Sequence, residues 1–343
     1  MAVTIRDVAK SCGVSVSTVS RAFNGYTDIT EETRERVLKT AEELGYKPNL
    51  NAKNLSSKRS NQIALIISGL LENNPKENLM FRLMQGVYTY ACNHNLDVAV
   101  YATDVKQQEK VSYQQFCAEH DVSGVILSGV TTDDPYFQEL MDTKIPCVAI
   151  DMELSERQGG WISIDNIRAM ADVVDLLYAN GHEKILVVSG KKNTRVTMDR
   201  TIGVYRAMSR KGYALKEEDI LYCEFDEQKA YEKTLDYLKT YGKTQHTAMM
   251  CFSDLMALGV MRAIKEMGYR IPEDFSVTGF DGIPISEYTA PPLTTVWQDM
   301  KRNGYAGAKL LHARIEGKET KEHSILPYKI LERESVKNIC GQE

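Results

Sequence analysis

Residues 4–24, TIRDVAKSCGVSVSTVSRAFN, decide how the rest of the chain is read. Ile5, Val8, Ala9 and Cys12 recur at i, i+3, i+4 and i+7, which places one apolar stripe on a short helix. Gly13 ends that helix, because glycine enters left-handed backbone without a Cβ clash. Ser15 then offers a side-chain oxygen to cap a second helix running from about 16 to 23. Val19, Ala22 and Phe23 of that helix point back at the first, leaving Val16, Ser17, Ser20 and Arg21 outward. Two short helices joined by a tight glycine turn form a helix-turn-helix, whose second helix fits the major groove of DNA. An ordinary helical hairpin is the plainer alternative, but it does not ask for stripe, turn, cap and outward arginine in one register.

The same run resembles the DNA-binding head of the LacI/GalR family of bacterial repressors almost residue for residue. The resemblance implies a DNA-binding surface made of Thr4, Ser15, Val16, Ser17, Thr18, Ser20, Arg21, Asn24 and Tyr46, with Val16 and Ser17 at base edges. Arg21 lies one turn further along the recognition helix. An arginine can donate two hydrogen bonds to guanine O6 and N7, worth roughly 1–3 kcal/mol of discrimination. Thr30 can cap a third helix with Glu31 and Glu32 at its positive end, and Val37, Leu38, Ala41 and Leu44 supply its core face. Gly45 and Pro48 stop it. Residues 49–61, NLNAKNLSSKRSN, are polar and without strong periodicity, as a solvated linker would be. By the resemblance, Asn51, Ala52, Lys53 and Leu55 match a hinge that becomes helical on the operator. Leu55 is then a wedge between base steps of the minor groove. Lys53 stands where relatives usually carry Arg, which weakens a bidentate contact there.

Composition agrees with a divided molecule. At 343 residues the chain exceeds one ordinary core. Residues 1–60 carry ten Lys and Arg against seven Asp and Glu, leaving 32 against 40 for the remainder, so the basic excess sits with the helix-turn-helix. No apolar run approaches a membrane span, and nothing in residues 1–10 resembles a signal peptide, so a cytoplasmic protein without membrane partners is expected. Seven cysteines, odd in number and without a CxxC pair, argue against a zinc site or disulfide framework and are expected to be buried thiols. No metal and no cofactor are expected.

From Gln62 onward, short β-branched runs alternate with amphipathic helices. Strands are predicted at 63–67, 98–103, 124–128, 146–151, 184–190, 220–225, 247–253 and 275–281. Helices fall near 79–94, 112–120, 135–142, 166–180, 198–211, 228–240 and 255–267. Two successive βα arrays imply two parallel sheets, and ligands bind beyond the C-terminal ends of such strands. The loops there hold Asp151, Arg195, Arg200, Phe225, Ser253, Asp254 and Asp281.

GFDGIPISEYTAPPLTTVWQDM at 279–300, PEDFSVTGFD and FSDLMALGVMRAI resemble the body of the same family, so the likeness covers essentially the whole chain. It implies an all-α helix-turn-helix head at 1–48, a hinge at 49–61, and an α/β two-lobed, periplasmic-binding-protein-like body at 62–343 that binds effector and dimerises. Crossovers near 163, 291 and 323 would divide the body into an N-lobe of about 62–163 plus 292–323 and a C-lobe of about 164–291 plus 324–343. SILPYKILERES resembles the last strand. Carried over by position, Arg200 grips effector, Asp281 accepts ligand hydroxyls, Phe225 stacks on the ligand, and Asp151, Ser253, Ser128 and Met80 fall at pocket positions. Ser253 and Ser128 replace an Asn common among sugar-binding relatives, and LMFRLM at 79–84 lacks their aromatic pair.

The expected function is a homodimeric transcriptional regulator, a repressor, that binds double-stranded operator DNA under control of a carbohydrate or sugar phosphate. A corepressor-dependent regulator sensing a purine or other non-sugar metabolite is the alternative, and a solute-binding protein without DNA function the remote one. GxSxG, HExxH and GxGxxG are all absent, and Tyr237 spoils a Walker loop ending in GKT at 242–244, so no enzyme is expected. Arg21→Ala is expected to lose discrimination at one base pair, while Lys53→Ala weakens binding to every sequence and flattens its salt dependence. Competition binding against single-base operator variants at several salt concentrations separates the two, and an unchanged base preference in Arg21→Ala removes it from the reading face.

Overall fold

The structure is a computed structural model describing residues 3–23, 26, 28–46, 61–69, 77–155, 159–243, 245–318 and 323–341. It divides into two compact units, Met1–Ser60 and Asn61–Glu343. Among the described residues no helix is long and apolar enough to cross a membrane.

The smaller unit is built on α1 (Ile5–Cys12), α2 (Val16–Phe23) and α3 (Glu31–Glu43). Thr4 and Asp7 close the start of α1: the Asp7 carboxylate accepts from the Thr4 amide at 2.8 Å and its hydroxyl at 2.7 Å. Gly13 leaves the helix at φ 65°, and the Ser15 hydroxyl accepts from the Thr18 amide at 3.1 Å to start α2. Val8, Val19 and Val37 are fully buried at the centre, with Ala9, Cys12, Ala22 and Ala41 around them. One expectation fails. Leu38 and Leu44 are exposed, at 41% and 37%: Leu38 sits a hundred degrees round the helix from Val37, off the stripe through Val37 and Ala41, and Leu44 lies past the last residue of α3, at its cap. Asn24 and the hinge positions Asn51, Ala52, Lys53 and Leu55 lie outside the described residues.

In the larger unit the strands are β1 (Gln62–Ser68), β2 (Asp97–Thr103), β3 (Gly124–Ser128), β4 (Cys147–Ile150), β5 (Gly160–Ile164), β6 (Ile185–Ser189), β7 (Ile220–Tyr222), β8 (Ala248–Cys251), β9 (Ser276–Asp281), β10 (Thr294–Gln298), β11 (His323–Leu326) and β12 (Tyr328–Leu331). The helices are α4 (Glu77–Cys92), α5 (Val105–Gln108), α6 (Tyr113–Glu119), α7 (Pro135–Glu139), α8 (Asn166–Ala179), α9 (Arg195–Arg210), α10 (Glu227–Tyr241), α11 (Asp254–Glu266) and α12 (Met300–Ile315). One sheet has the order β11-β5-β4-β3-β1-β2 and the other β12-β10-β9-β8-β6-β7. Each sheet has its own buried core, and Leu326 touches both.

The chain passes between sheets three times, at places that differ from those the sequence suggested. The first passage follows Ile164, close to the expected 163, where Asp165 caps α8. The second follows Gln298 rather than 291, because Thr294–Trp297 pairs in parallel with Thr278–Asp281 and so keeps β10 in the second sheet. The third falls at Pro327 rather than 323. Proline has no amide proton to continue a ladder, so SILPYKIL is two strands, with Leu326 paired to Ile164 and Tyr328 to Gln298. Because β12 runs antiparallel to β10, the second sheet is mixed rather than wholly parallel. Strands β5 and β10 and helices α5 and α12 lie outside the predicted elements.

Helix α12 returns to the first sheet and crosses α4 at glycine contacts. A Cβ on Gly304 would lie 2.1 Å from the Leu83 carbonyl oxygen, and one on Gly86 1.9 Å from that of Lys301. Backbone meets backbone there, with no flexible side chain to yield. Gly304→Ala is therefore expected to destabilise the body by about 1–3 kcal/mol, read as a lower urea midpoint; an unchanged midpoint would show that the helices separate freely.

Candidate functional site

The C-terminal ends of strands from both sheets face a cleft of about 220 Å³. β1 delivers Ser68, β3 Ser128, β9 Asp281 and β10 Gln298, while Asp151, Lys191 and Ser253 follow β4, β6 and β8. The seven body positions carried over by the resemblance, Met80, Ser128, Asp151, Arg200, Phe225, Ser253 and Asp281, line this cleft together with Arg195, whereas Asp254, also expected at the strand ends, lies behind it.

Arg200 is its deepest cation, only 3% exposed. Its Nε donates to Asn166 Oδ1 at 2.9 Å, Nη1 donates to the Phe252 carbonyl, and the guanidinium lies 3.5 Å over the Phe280 ring. Nη2 has no hydrogen-bond partner among the described residues. Burial pulls the Arg200 pKa down, opposed by the carboxylates of Asp281, Asp151 and Asp254. Burial likewise raises Asp151, against a 2.8 Å hydrogen bond donated by the Ser163 hydroxyl and the charge of Arg200. Asp281 accepts from Gln298 Nε2 at 2.9 Å. Behind it, Asp254 is fully buried and accepts from Thr295 Oγ1 at 2.6 Å and the Ile283 amide at 2.8 Å; burial, then Asp281, push its pKa well up.

Four residues of this region, Asp151, Glu224, Phe225 and Asp281, have positive φ, of 58°, 57°, 61° and 109°. Aspartate tolerates such backbone; phenylalanine does so rarely. Phe225 is held by what lies beneath it, since a Cβ on Gly190 would fall 2.2 Å from its ring Cζ. Ser253 is committed to capping α11, accepting from the Met256 amide at 3.2 Å, and the Ser128 hydroxyl donates to Met80 Sδ at 3.7 Å. Two contacts span the lips of the cleft: Glu153 pairs with Arg195, and Asn193 Nδ2 donates to Asp133 at 2.9 Å. Asn166, Gln298, Gly190 and Asp134 escaped the sequence reading. Asn166 is a neutral residue outside the quoted motifs, and Gln298, though within the 279–300 stretch, ends a strand that lies outside the predicted ones.

In the smaller unit, Val16, Ser17 and Arg21 are exposed on α2, and Ser20 is half-buried. The Ser15 hydroxyl contacts those of Ser17 and Thr18 at 2.6 and 2.9 Å. Thr4 is occupied with Asp7, while Tyr46 packs edge-on against Phe23 at 5.8 Å and belongs partly to the core. Arg21 Nη1 meets Asp28 at 2.9 Å, both side chains over half exposed. An exposed pair of this kind is worth under about 1 kcal/mol, so a guanine can displace it.

All seven cysteines are free, but Cys92 and Cys340 are exposed, contrary to expectation: one ends α4 and the other lies in the last turn of the described chain. Among the described residues no cluster of His, Cys, Asp and Glu is placed to hold a metal ion.

Residues 4–49 match the bacterial regulatory proteins of the lacI family, and residues 174–336 match a periplasmic binding protein-like domain. The chain is 32% identical over 321 residues to the HTH-type transcriptional repressor PurR of Vibrio vulnificus (strain CMCP6), covering 92% of this chain and 93% of that one. It is also similar to the Lac repressor dimer bound to operator and the anti-inducer ONPF, with TM-score 0.82 and 26% identity over 98% of this chain and 100% of the other. A complex of the transcriptional regulator CelR with cellobiose matches with TM-score 0.73 and 28% identity, over 97% and 99%.

If Gly190 seats the Phe225 ring, Gly190→Ala expels that ring from its place, since the nearest atoms to the added methyl all belong to it. The expected result is ligand affinity reduced to about the level of Phe225→Ala, with the fold intact by circular dichroism; full affinity in Gly190→Ala would mean the ring is held from elsewhere.

Proposed function

The chain belongs to the LacI family of bacterial regulatory proteins, and on that premise we propose a homodimeric repressor whose cleft binds a carbohydrate or sugar phosphate and thereby sets operator affinity. It is a DNA-binding transcriptional regulator, and no catalytic role is assigned to it. Residues 1–48 serve as the DNA-binding head, 49–61 as the hinge, and 62–343 as the effector-binding and dimerisation body, in the cytoplasm.

The observation that carries the effector reading is the convergence of Arg200, Asp151 and Asp281 with one wall formed by Phe225. Carboxylates accept directed hydrogen bonds from sugar hydroxyls, a guanidinium donates to ring and hydroxyl oxygens, and the C–H face of a sugar packs on an aromatic ring. CelR, a relative by fold and sequence, binds cellobiose in its own complex. Lobe closure on the ligand would move the two N-lobes of a dimer relative to one another and alter the spacing of the two hinges. Two heads reading half-sites about one turn of DNA apart are sensitive to such a change. Ligand does this only if it prefers one lobe arrangement, by about 1–3 kcal/mol in typical cases.

A labelled promoter fragment titrated with the full chain, with and without sugars, sugar phosphates and purines, tests the reading. A carbohydrate is expected to change operator affinity by roughly 5–150-fold, and Phe225→Ala to abolish that response while leaving ligand-free DNA binding intact. A response to purines alone would sink the carbohydrate part; no salt-sensitive, sequence-selective complex at all would sink the whole.

A further inference from the structure

The balance and placement of charge in the cleft say which kind of ligand it takes. Among the described residues, five carboxylates line it: Asp104, Asp134, Asp151, Glu224 and Asp281. Three cations accompany them, Lys191, Arg195 and Arg200. Arg195 is already engaged, its Nε on both oxygens of Asp199 at 2.9 and 3.0 Å and its Nη2 on Glu153. Lys191 is at the exposed rim, where its charge acts on Glu224. Arg200 alone of the three is deep, and its charge is answered by Asp281, Asp151 and Asp254. On the opposite wall Asp134 is 2% exposed and takes its hydrogen bonds from the uncharged Ser68, Gln108 and Thr131, at 2.9, 3.1 and 2.6 Å.

Free amides at a helix N-terminus are a ready-made anion site. Of the helix starts that border the cleft, those of α9 and α11 are already capped, by the Thr194 hydroxyl on the Thr197 amide at 3.3 Å and by the Ser253 hydroxyl on the Met256 amide at 3.2 Å, with Asp254 in the first turn of α11. A phosphate ester would bring a charge of about −1.5 to −2 and only acceptor oxygens. It would set those oxygens against the carboxylates of Asp151 and Asp281, the first half-buried and the second buried. A hydroxyl at the same place donates to them instead.

We propose that the cleft selects an uncharged, hydroxyl-rich ligand and excludes the phosphate ester of that same ligand. The proposal rests on the reading of the cleft as the effector site and narrows it to unphosphorylated sugars. Like-charge juxtaposition at a binding site suppresses the wrong partner, so the ester of any ligand that binds is expected to bind at least about 100-fold more weakly than its parent. In Asp151→Asn that gap narrows by about tenfold, which exclusion by size alone would not produce.

The experiment is a melting-temperature titration of the full chain with matched pairs at constant ionic strength: glucose and glucose 6-phosphate, ribose and ribose 5-phosphate, cellobiose and cellobiose 6-phosphate, adenosine and adenosine monophosphate. Any ligand of the folded state raises the melting point by mass action. Parent over ester in whichever pair binds supports the proposal; if that pair is the nucleoside, the carbohydrate reading fails and the charge rule stands. An ester equal to or tighter than its parent overturns the rule while leaving the effector site in place, and an unchanged gap in Asp151→Asn overturns its electrostatic cause. Where none of the organic probes binds, inorganic phosphate decides. A phosphate-induced rise that Arg200→Gln abolishes overturns the proposal, and no rise, or one that persists in that variant, supports it.

Discussion

A guanidinium taken out of water must find replacements for the water it leaves, or the cost runs to several kcal/mol. Arg200 finds them from separate parts of the chain. Asn166, first residue of α8 after the first passage between sheets, takes Nε; the carbonyl of Phe252 after β8 takes Nη1; Phe280 in β9 supplies a ring face; and the carboxylates of Asp151 and Asp281 balance the charge. Removing any one of these leaves a buried donor or an unanswered charge. The side chain therefore fixes the start of α8 against the ends of β8 and β9, and the cleft takes its shape from that fixed point.

The same economy explains the backbone around it. Asp151 follows directly on β4, Asp281 is the last residue of β9, and Glu224 and Phe225 follow β7 after a single residue, so the chain turns sharply where these side chains converge. Left-handed backbone at a residue other than glycine costs on the order of 1–3 kcal/mol and persists only where surroundings enforce it. Here they do. The Asp151 amide donates to the Ile162 carbonyl at 2.8 Å and its carboxylate accepts from Ser163, while Asp281 is gripped by Gln298. A site held in this way presents its acceptors in place before ligand arrives, which reduces the ordering cost of binding.

What could be read from the sequence follows from how local its causes are. The helix-turn-helix is specified within twenty residues by periodicity, a glycine turn and a capping serine, and the structure reproduces it. Leu38 was misplaced because an apolar residue beside a stripe looks like part of it until the partner helices are known. The ends of β3, β4, β8 and β9 could be found, since each is a short apolar run closed by a polar residue. The second passage could not: Thr294–Gln298 is half polar, and its membership of the second sheet is decided by pairing with residues some sixteen positions earlier. Pro327 carried a usable signal that was passed over, because a proline inside an apparent strand argues for two. Asn166, Gln298 and Gly190 act only through a neighbour that folding brings to them, and a neutral amide or a bare Cα in a loop advertises nothing.

Communication from the cleft depends on which lobe each contact belongs to. Met80 and Ser128 stand on the first lobe, while Arg200, Phe225 and Asp281 stand on the second. A ligand touching only one set binds open and closed arrangements equally and shifts nothing, however tightly it is held. One that spans both adds its contacts to the closed arrangement alone. The lip contacts, Glu153 with Arg195 and Asp133 with Asn193, favour that same arrangement, but the charged pair is well exposed and such pairs contribute under about 1 kcal/mol. The lip contacts are thus too weak to complete closure alone. A coupling of 1–3 kcal/mol must then come from bridging contacts made by the ligand itself, so that in the function proposed above ligand selectivity and control of the operator rest on the same contacts to both walls.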